Sequence, residues 1–369
     1  MILEYDERMV GVGDFPFTNN SFEGFIKVLE SVPGNAKTII VDFNRLLRAH
    51  QDLKNEPMGS NVIQITSQGA FSTKGRRNTN EDAVILQEIQ NDALQSVLLG
   101  GVFDGHGGDA ASKTASQILP SLLSTKIKIN DLAQALESAW NETCETYKEG
   151  CTIYGSCVAD YDAREGVLLA GTGSKDLVAG TTASLASFLS QKEGNKLVVL
   201  SCGDSRTLIV GEPKDKSMSQ SYLHFATQDH SPRSESEYYR LQMGKDSGLD
   251  YSLPQCSVNR WWIKVGDYQY AVSRSLEGEF ASSKGIVSDA DVEVLDLSRM
   301  VQLRNDASLV IASDGLFEVY DNEFIAKEVS IMRREGISAK DVAKHLCLMA
   351  LEKGTTDNVS VIVWYFDEC

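Results

Sequence analysis

Acidic residues recur at the ends of apolar runs, beside glycine or asparagine. Asn80-Glu81-Asp82 precedes the run opening at Ala83, and Asp104-Gly105-His106-Gly107-Gly108 closes Val97 to Phe103. Gly203-Asp204-Ser205-Arg206 follows Leu197 to Cys202, Asp314-Gly315 closes Leu309 to Ser313, and Asp357-Asn358 precedes the last apolar run. At strand mouths a rigid sheet can hold carboxylates convergently, and a neighbouring glycine lets the backbone approach a ligand closely. Hard divalent cations such as Mg²⁺ or Mn²⁺ take such oxygen ligands from carboxylates, carbonyls and water. Asp-Gly is also ordinary turn chemistry. That reading competes at any one position; five such positions together favour a cation centre. The five histidines show no pair at helical spacing and the cysteines no cluster, which argues against zinc.

The elements that must position these acids read as short strands and paired helices. Val62 to Ile65, Val84 to Leu86, Ser96 to Phe103, Thr182 to Phe188, Lys196 to Ser201, Arg206 to Val210, Leu309 to Ser313 and Ser360 to Phe366 have strand composition. Ala111, Ala115, Ile118 and Leu122 follow helical spacing, as do Leu132, Leu136, Ala139 and Thr143 behind an Asn130 cap. Phe324 to Glu335 and Ala339 to Lys353 form a second helical pair, with Ser338 and Asp341 spaced as a capping box. Strands in runs with helices in pairs indicate an α+β fold and not alternating βαβ units. Residues 1–60 stand apart: a short helix with Phe22, Phe25, Ile26 and Leu29 on one face, a strand or helix from Thr38, and a linker at Asn55 to Ser60.

Composition narrows the function. The 369 residues carry 35 Lys plus Arg against 52 Asp plus Glu, a formal charge of −17, which repels a nucleic-acid backbone. No apolar run reaches membrane-spanning length. Seven scattered cysteines without a CxxC pair read as reduced thiols of an intracellular compartment, cytoplasm or nucleus, with an organelle left open if the N-terminus was trimmed.

The same residues, taken in order, resemble the metal-dependent serine/threonine protein phosphatases of type 2C. Arg77 to Asp82 resembles that family's Arg-x-x-x-Glu-Asp opening, Phe103 to Gly108 its Phe-Asp-Gly-His-Gly-Gly string, and Gly180-Thr181-Thr182-Ala183 its Gly-Ser/Thr-Thr-Ala. Gly203 to Arg206, Asp229-His230-Ser231-Pro232, Ala271 to Leu276, Ala312 to Leu316 and Thr356 to Ser360 continue the series. The resemblance implies a β-sandwich of two antiparallel sheets flanked by antiparallel helix pairs, with a dinuclear site at the sandwich edge. It implies hydrolysis of phosphoserine and phosphothreonine on proteins, using two Mn²⁺ or Mg²⁺ ions and a weaker third. Position by position, Asp104 would bridge the ions with the Gly105 carbonyl on one, Asp314 and Asp357 would bind the other, and Glu81 and Asp82 would hold waters of the metal shell. Asp204 with Asp314 would serve the third ion, Arg77 would grip the phosphate, and His106 would be the general acid.

The chemistry fits those residue types. Two cations acidify a water and neutralise phosphoryl oxygens, an Arg fork matches phosphate, and a poor alkoxide leaving group needs an acid. A scaffold that has lost catalysis is the rival reading, although none of the acids is missing; a hydrolase of a small phosphorylated metabolite is another. The chain departs from the family where Ser-Arg-Ala-Leu-Gly-Asp is usual: it reads Ser273-Arg274-Ser275-Leu276-Glu277-Gly278-Glu279. Cys144 to Ala179 reads as a long insertion, whose Cys144, Cys151 and Cys157 are ordinary thiols on the plainer reading. Gly244 to Trp262 resembles the family's flap. Trp261 and Trp262 could dock a regulatory partner or simply pack the flap, and residues 1–60 could serve a partner too. His230 reads as a turn residue, and Arg274 as a salt-bridge former or a second basic group. The expected organisation is an extension of unknown role over 1–60 and a catalytic domain over 61–369.

Overall fold

Successive side chains along the long strands point to opposite faces and are apolar on both, so each strand offers one face to helices and the other to a second sheet. The computed structural model describes residues 63–368, apart from 91–95, 128–130, 153–158, 163–166, 171–178, 190–194, 215–220, 247, 249–251, 258–259, 266–267, 298–299 and 302–303. The expectations for residues 1–60, the Asn130 cap, and Cys157 lie outside the described residues.

One sheet contains β1 (Ile63–Thr73), β10 (Arg206–Pro213), β11 (Leu223–Ala226), β16 (Arg304–Ala312) and β17 (Val359–Glu368), in the order β1-β17-β16-β10-β11. The other contains β2 (Ala83–Gln90), β3 (Ser96–Phe103), β8 (Ala183–Leu189), β9 (Lys196–Cys202) and β15 (Asp291–Asp296), in the order β15-β9-β8-β3-β2. Neighbouring strands are antiparallel in both. Outside them lie the short pairs β4 (Gly105–His106) with β7 (Gly180–Thr181) and β5 (Ala159–Asp162) with β6 (Val167–Ala170), and the one-turn helix α4 (Glu279–Ser282).

Strand β17 shows the layering most directly. Val359, Val361, Val363 and Tyr365 pack against helices α6 (Asn322–Arg334) and α7 (Ala339–Lys353). The alternate residues Ile362, Trp364 and Phe366 meet Phe188, Leu197 and Val199 of the facing sheet. Across that sheet, Val198, Leu200 and Cys202 turn outward onto α1 (Ala110–Lys126) and α2 (Leu132–Thr152). The result is the expected α+β sandwich with a helix pair on each outer face.

Caps account for where the helices start. Asp321 accepts from the Phe324 amide at 2.7 Å, and Ser338 Oγ accepts from the Asp341 amide at 3.2 Å. At α2 the Gln134 amide donates to Asp131 Oδ1 at 3.2 Å, so the capping side chain is Asp131. Ser313 is not the end of a strand but the N-cap of a one-turn helix, α5 (Asp314–Phe317). Beside the sandwich, α3 (Glu235–Asp246) and the small sheet β12 (Ser252–Ser257), β13 (Arg260–Val265) and β14 (Tyr268–Tyr270) form the flap region, where Leu241, Ile263, Val265 and Tyr270 share a separate apolar cluster.

Ile362 is fully buried between the sheets. Ile362→Ala is expected to lower unfolding stability by about 2–5 kcal/mol in urea titrations, leaving turnover per folded molecule unchanged. A loss below about 1 kcal/mol would contradict the assignment of the inter-sheet core.

Candidate active site

The acids meet at one edge of the sandwich because the strands that carry them end there. Asp104 follows β3, Asp204 lies in the β9–β10 turn, Asp314 opens α5, and Asp357 immediately precedes Asn358 and β17. Asn358 fixes the loop bearing Glu81 and Asp82. Its Nδ2 donates to the carbonyls of Lys74 and Thr79, both at 3.0 Å, and its Oδ1 accepts from the Glu81 amide at 2.9 Å. The Asp104 carbonyl accepts from the Thr182 amide at 2.9 Å and from Thr181 Oγ1 at 3.0 Å. A side chain at Gly105 could not be accommodated, since a Cβ there would stand 2.3 Å from the Glu81 carbonyl oxygen.

Asp314, Glu318 and Asp357 each offer a carboxylate oxygen within 4.8 Å of the others. Asp82 Oδ2 accepts from Ser360 Oγ at 2.6 Å and Ser313 Oγ at 3.1 Å, while its buried Oδ1 has no hydrogen-bond partner. The electrostatics have one sign. Withdrawal from water raises the Asp104 carboxyl well above its ordinary range, and Asp314, Asp82, Asp204 and Asp357 push it further. Asp314 is raised well above its usual value by the same loss of water and then by Asp204, Asp357 and Glu318. Asp82 and Asp204 are each pushed up to about 6, chiefly by burial. A group of acids that repel one another, with an orphaned oxygen among them, fits a site for hard cations.

Three residues expected from the sequence border this cluster. Arg77 donates from Nη2 to Asp357 Oδ2 at 2.8 Å and from Nε to the Thr356 carbonyl at 3.2 Å, with 53% of its side chain exposed. Glu81 Oε2 accepts from the Gly108 amide at 3.2 Å. His106 Nε2 lies 2.5 Å from Glu277 Oε1. Burial pulls the imidazole down in pKa, but the Glu277 charge and hydrogen bond outweigh it and leave a raised value.

Other candidate groups have structural work. His230 Nδ1 accepts from the Gly203 amide at 3.1 Å and Nε2 lies 3.1 Å from Asp291, tying the Asp204 turn to β15. Arg274 is committed to Glu237 Oε1 at 2.6 and 2.9 Å and to Asp291 at 3.1 Å. Cys144 is buried in the helix-side core, and burial pushes its thiol up to about 12. Trp261 and Trp262 lie half-buried on β13. Trp261 lines a cavity of about 580 Å³ together with Asp204, Asp314, Glu318 and Arg233.

The sequence reading missed Glu318 and the role of Glu277. Glu318 had a signal, Asp314-x-x-x-Glu318, one helical turn apart. Glu277 had only its place in the segment that departs from the family pattern.

A family profile described as Protein phosphatase 2C matches residues 67–359. The chain belongs to the protein phosphatase 2C family. Among its relatives, Probable protein phosphatase 2C 69 of Arabidopsis thaliana is 28% identical over 305 residues, covering 82% of this chain and 70% of the relative. Probable protein phosphatase 2C 61 of the same plant is 29% identical, covering 79% and 82%. Among solved structures, a serine-threonine phosphatase 2C from Toxoplasma gondii superposes with a TM-score of 0.61 at 19% identity, covering 83% of this chain and 97% of that one, a likeness of fold. The protein is thus a protein-serine/threonine phosphatase of the 2C family, whose substrates are phosphoproteins. Among the described residues no helix is long and apolar enough to cross a membrane.

The raised carboxyls predict an unusual stability profile for metal-free protein. A carboxyl whose folded pKa exceeds its unfolded value contributes stability below the unfolded pKa, lost as pH rises through the folded one. For Asp82 and Asp204 that window runs from the ordinary 3.8 to about 6. In chelator, Tm is expected to fall between about pH 4 and pH 7, and added Mn²⁺ to raise Tm more at pH 7 than at pH 5. An equal Mn²⁺ shift at both pH values would contradict the cation-site reading.

Proposed function

We propose that this phosphatase hydrolyses phosphoserine and phosphothreonine with two divalent cations, Mn²⁺ or Mg²⁺, held by Asp104, the Gly105 carbonyl, Asp314 and Asp357. Glu81 and Asp82 would act through waters of the metal shell, and Asp204 with Asp314 and Glu318 would serve a weaker third ion. The observation that carries the reading is the set of mutually repelling acids, three of which offer oxygens within 4.8 Å of one another. Bound there, the cations supply an acidified water and charge neutralisation for the phosphoryl group.

The protein's own side chains orient the phosphate and handle the proton. Arg77 presents a planar fork that matches phosphate geometry, and it stands beside the cluster while still reaching solvent. His106 donates a proton to the departing serine or threonine oxygen, which leaves poorly as an alkoxide. No cysteine nucleophile is needed. We further read residues 61–369 as the catalytic unit, since the family match begins at residue 67. Residues 1–60 and the Trp261-Trp262 pair are the proposed places for a regulatory partner, and the cysteine usage supports a cytoplasmic or nuclear setting.

Four experiments test these assignments. Phosphatase assays on phosphoserine, phosphothreonine and phosphotyrosine peptides, with and without Mn²⁺, are expected to show metal-dependent turnover of the first two. Asp104→Ala or Asp314→Ala should abolish that turnover in folded protein; residual activity above about a tenth of wild type would contradict the ligand assignment. His106→Ala should lower kcat on a phosphoserine peptide by about 10²–10⁴-fold while largely sparing nitrophenyl phosphate, whose leaving group needs no proton. Deletion of residues 1–60 should leave turnover of nitrophenyl phosphate within a few-fold, and complete loss in a folded protein would move the domain boundary.

A further inference from the structure

The Glu277 carboxylate is 2% exposed, and its 2.5 Å contact with His106 is among the tightest polar contacts of the site. Its other hydrogen bond among the described residues comes from Ser275 Oγ, at 2.6 Å to the same Oε1. A carboxylate so withdrawn from water requires a charged or strongly donating partner. No Arg or Lys pairs with it among the described residues; the partner is the imidazole.

The backbone builds this pair deliberately close. The short strands β4 (Gly105–His106) and β7 (Gly180–Thr181) place His106 opposite Gly180. On the other side of β7, Thr181 and Leu276 exchange amide hydrogen bonds, each at 2.9 Å, which sets Glu277 next to the same glycine. A Cβ at position 180 would stand 2.2 Å from Glu277 Oε1 and 2.4 Å from His106 Nε2. The pair therefore occupies the space that any other residue at 180 would fill.

We infer that Glu277 is a positioning residue for the phosphatase reaction: it accepts the Nε2–H of His106, fixes the ring, and leaves Nδ1 as the nitrogen that serves the leaving group. The inference rests on His106 being the general acid. In the step itself, the oxygen of the attacking water bonds to phosphorus as the bond from phosphorus to the serine oxygen breaks. The electron pair of that bond passes to the serine oxygen, which takes the proton from Nδ1. The imidazole left behind is neutral and keeps its Nε2–H on Glu277. A free imidazole would present either nitrogen and several ring orientations; the dyad removes those alternatives before substrate arrives.

The test compares Glu277→Ala and Glu277→Gln with His106→Ala on a phosphoserine peptide and on nitrophenyl phosphate, all with Mn²⁺. Glu277→Ala is expected to lower kcat on the peptide about tenfold or more, with KM little changed and nitrophenyl phosphate turnover within about threefold. Glu277→Gln, whose amide oxygen can still accept Nε2–H, should recover part of the loss, and it carries the test if the alanine variant does not fold. In the His106→Ala background, Glu277→Ala should add nothing further on the peptide. Equal losses on both substrates, or independent losses in the double variant, would overturn the inference. If His106→Ala shows the substrate split and the Glu277 variants do not, Glu277 alone is reassigned. If His106→Ala itself affects both substrates equally, the general-acid reading falls and this inference with it.

Discussion

Carboxylates withdrawn from water and crowded against one another govern this site. Two like unit charges 4 Å apart repel by about 4 kcal/mol at an effective dielectric near 20. Asp82, Asp104, Asp204 and Asp314 are all shifted upward, with loss of water first among the causes and neighbouring acids adding to it. The sandwich can hold them together because strand ends and a one-turn helix fix their backbones, and Asn358, Thr181 and Ser360 hold the connecting loops or the side chains themselves. Protons at low pH would relieve that crowding, and on the proposed reading so would cations at working pH.

Glu237 shows what the same fold does with an acid meant only for structure. Its carboxylate is as buried as that of Glu277, at 2% exposure. Burial pushes it up, but hydrogen bonds from Arg274 and Ser273 and the charge of Arg240 more than compensate, leaving it at about 2. It receives three cationic or hydroxyl partners within 3.0 Å. Apart from Asp357, which Arg77 meets at 2.8 Å, the strand-mouth acids receive hydroxyls, amides and each other. That contrast separates an internal tie from a place prepared for a ligand, and Glu277 stands between the two, with an imidazole as its single basic partner among the described residues.

Much of this was legible in the residues. Long strands with one face to helices and one to a sheet, such as Ser96–Phe103 and Lys196–Cys202, announce themselves by unbroken apolar character. Strand β15, Asp-Val-Glu-Val-Leu-Asp, did not: it is an edge strand whose acids face solvent, and it gains its identity from pairing with β9. The polar stretch Thr66 to Gly69 hides the length of the first strand, which pairing with β17 carries through a register shift to Thr73. Glu318 could be found only by knowing that Asp314 begins a helical turn. Glu277 could not be found at all from spacing, since 171 residues separate it from His106 and a glycine between them makes the contact.

The central claim is that the clustered acids exist to hold cations, and equilibrium dialysis of metal-free protein against Mn²⁺ near pH 7.5 measures it most directly. The account predicts at least two bound ions per chain in the native protein and a loss of bound Mn²⁺ in Asp104→Ala, with folding retained. Binding of no Mn²⁺, or the same number of ions in the variant as in the native protein, would contradict it.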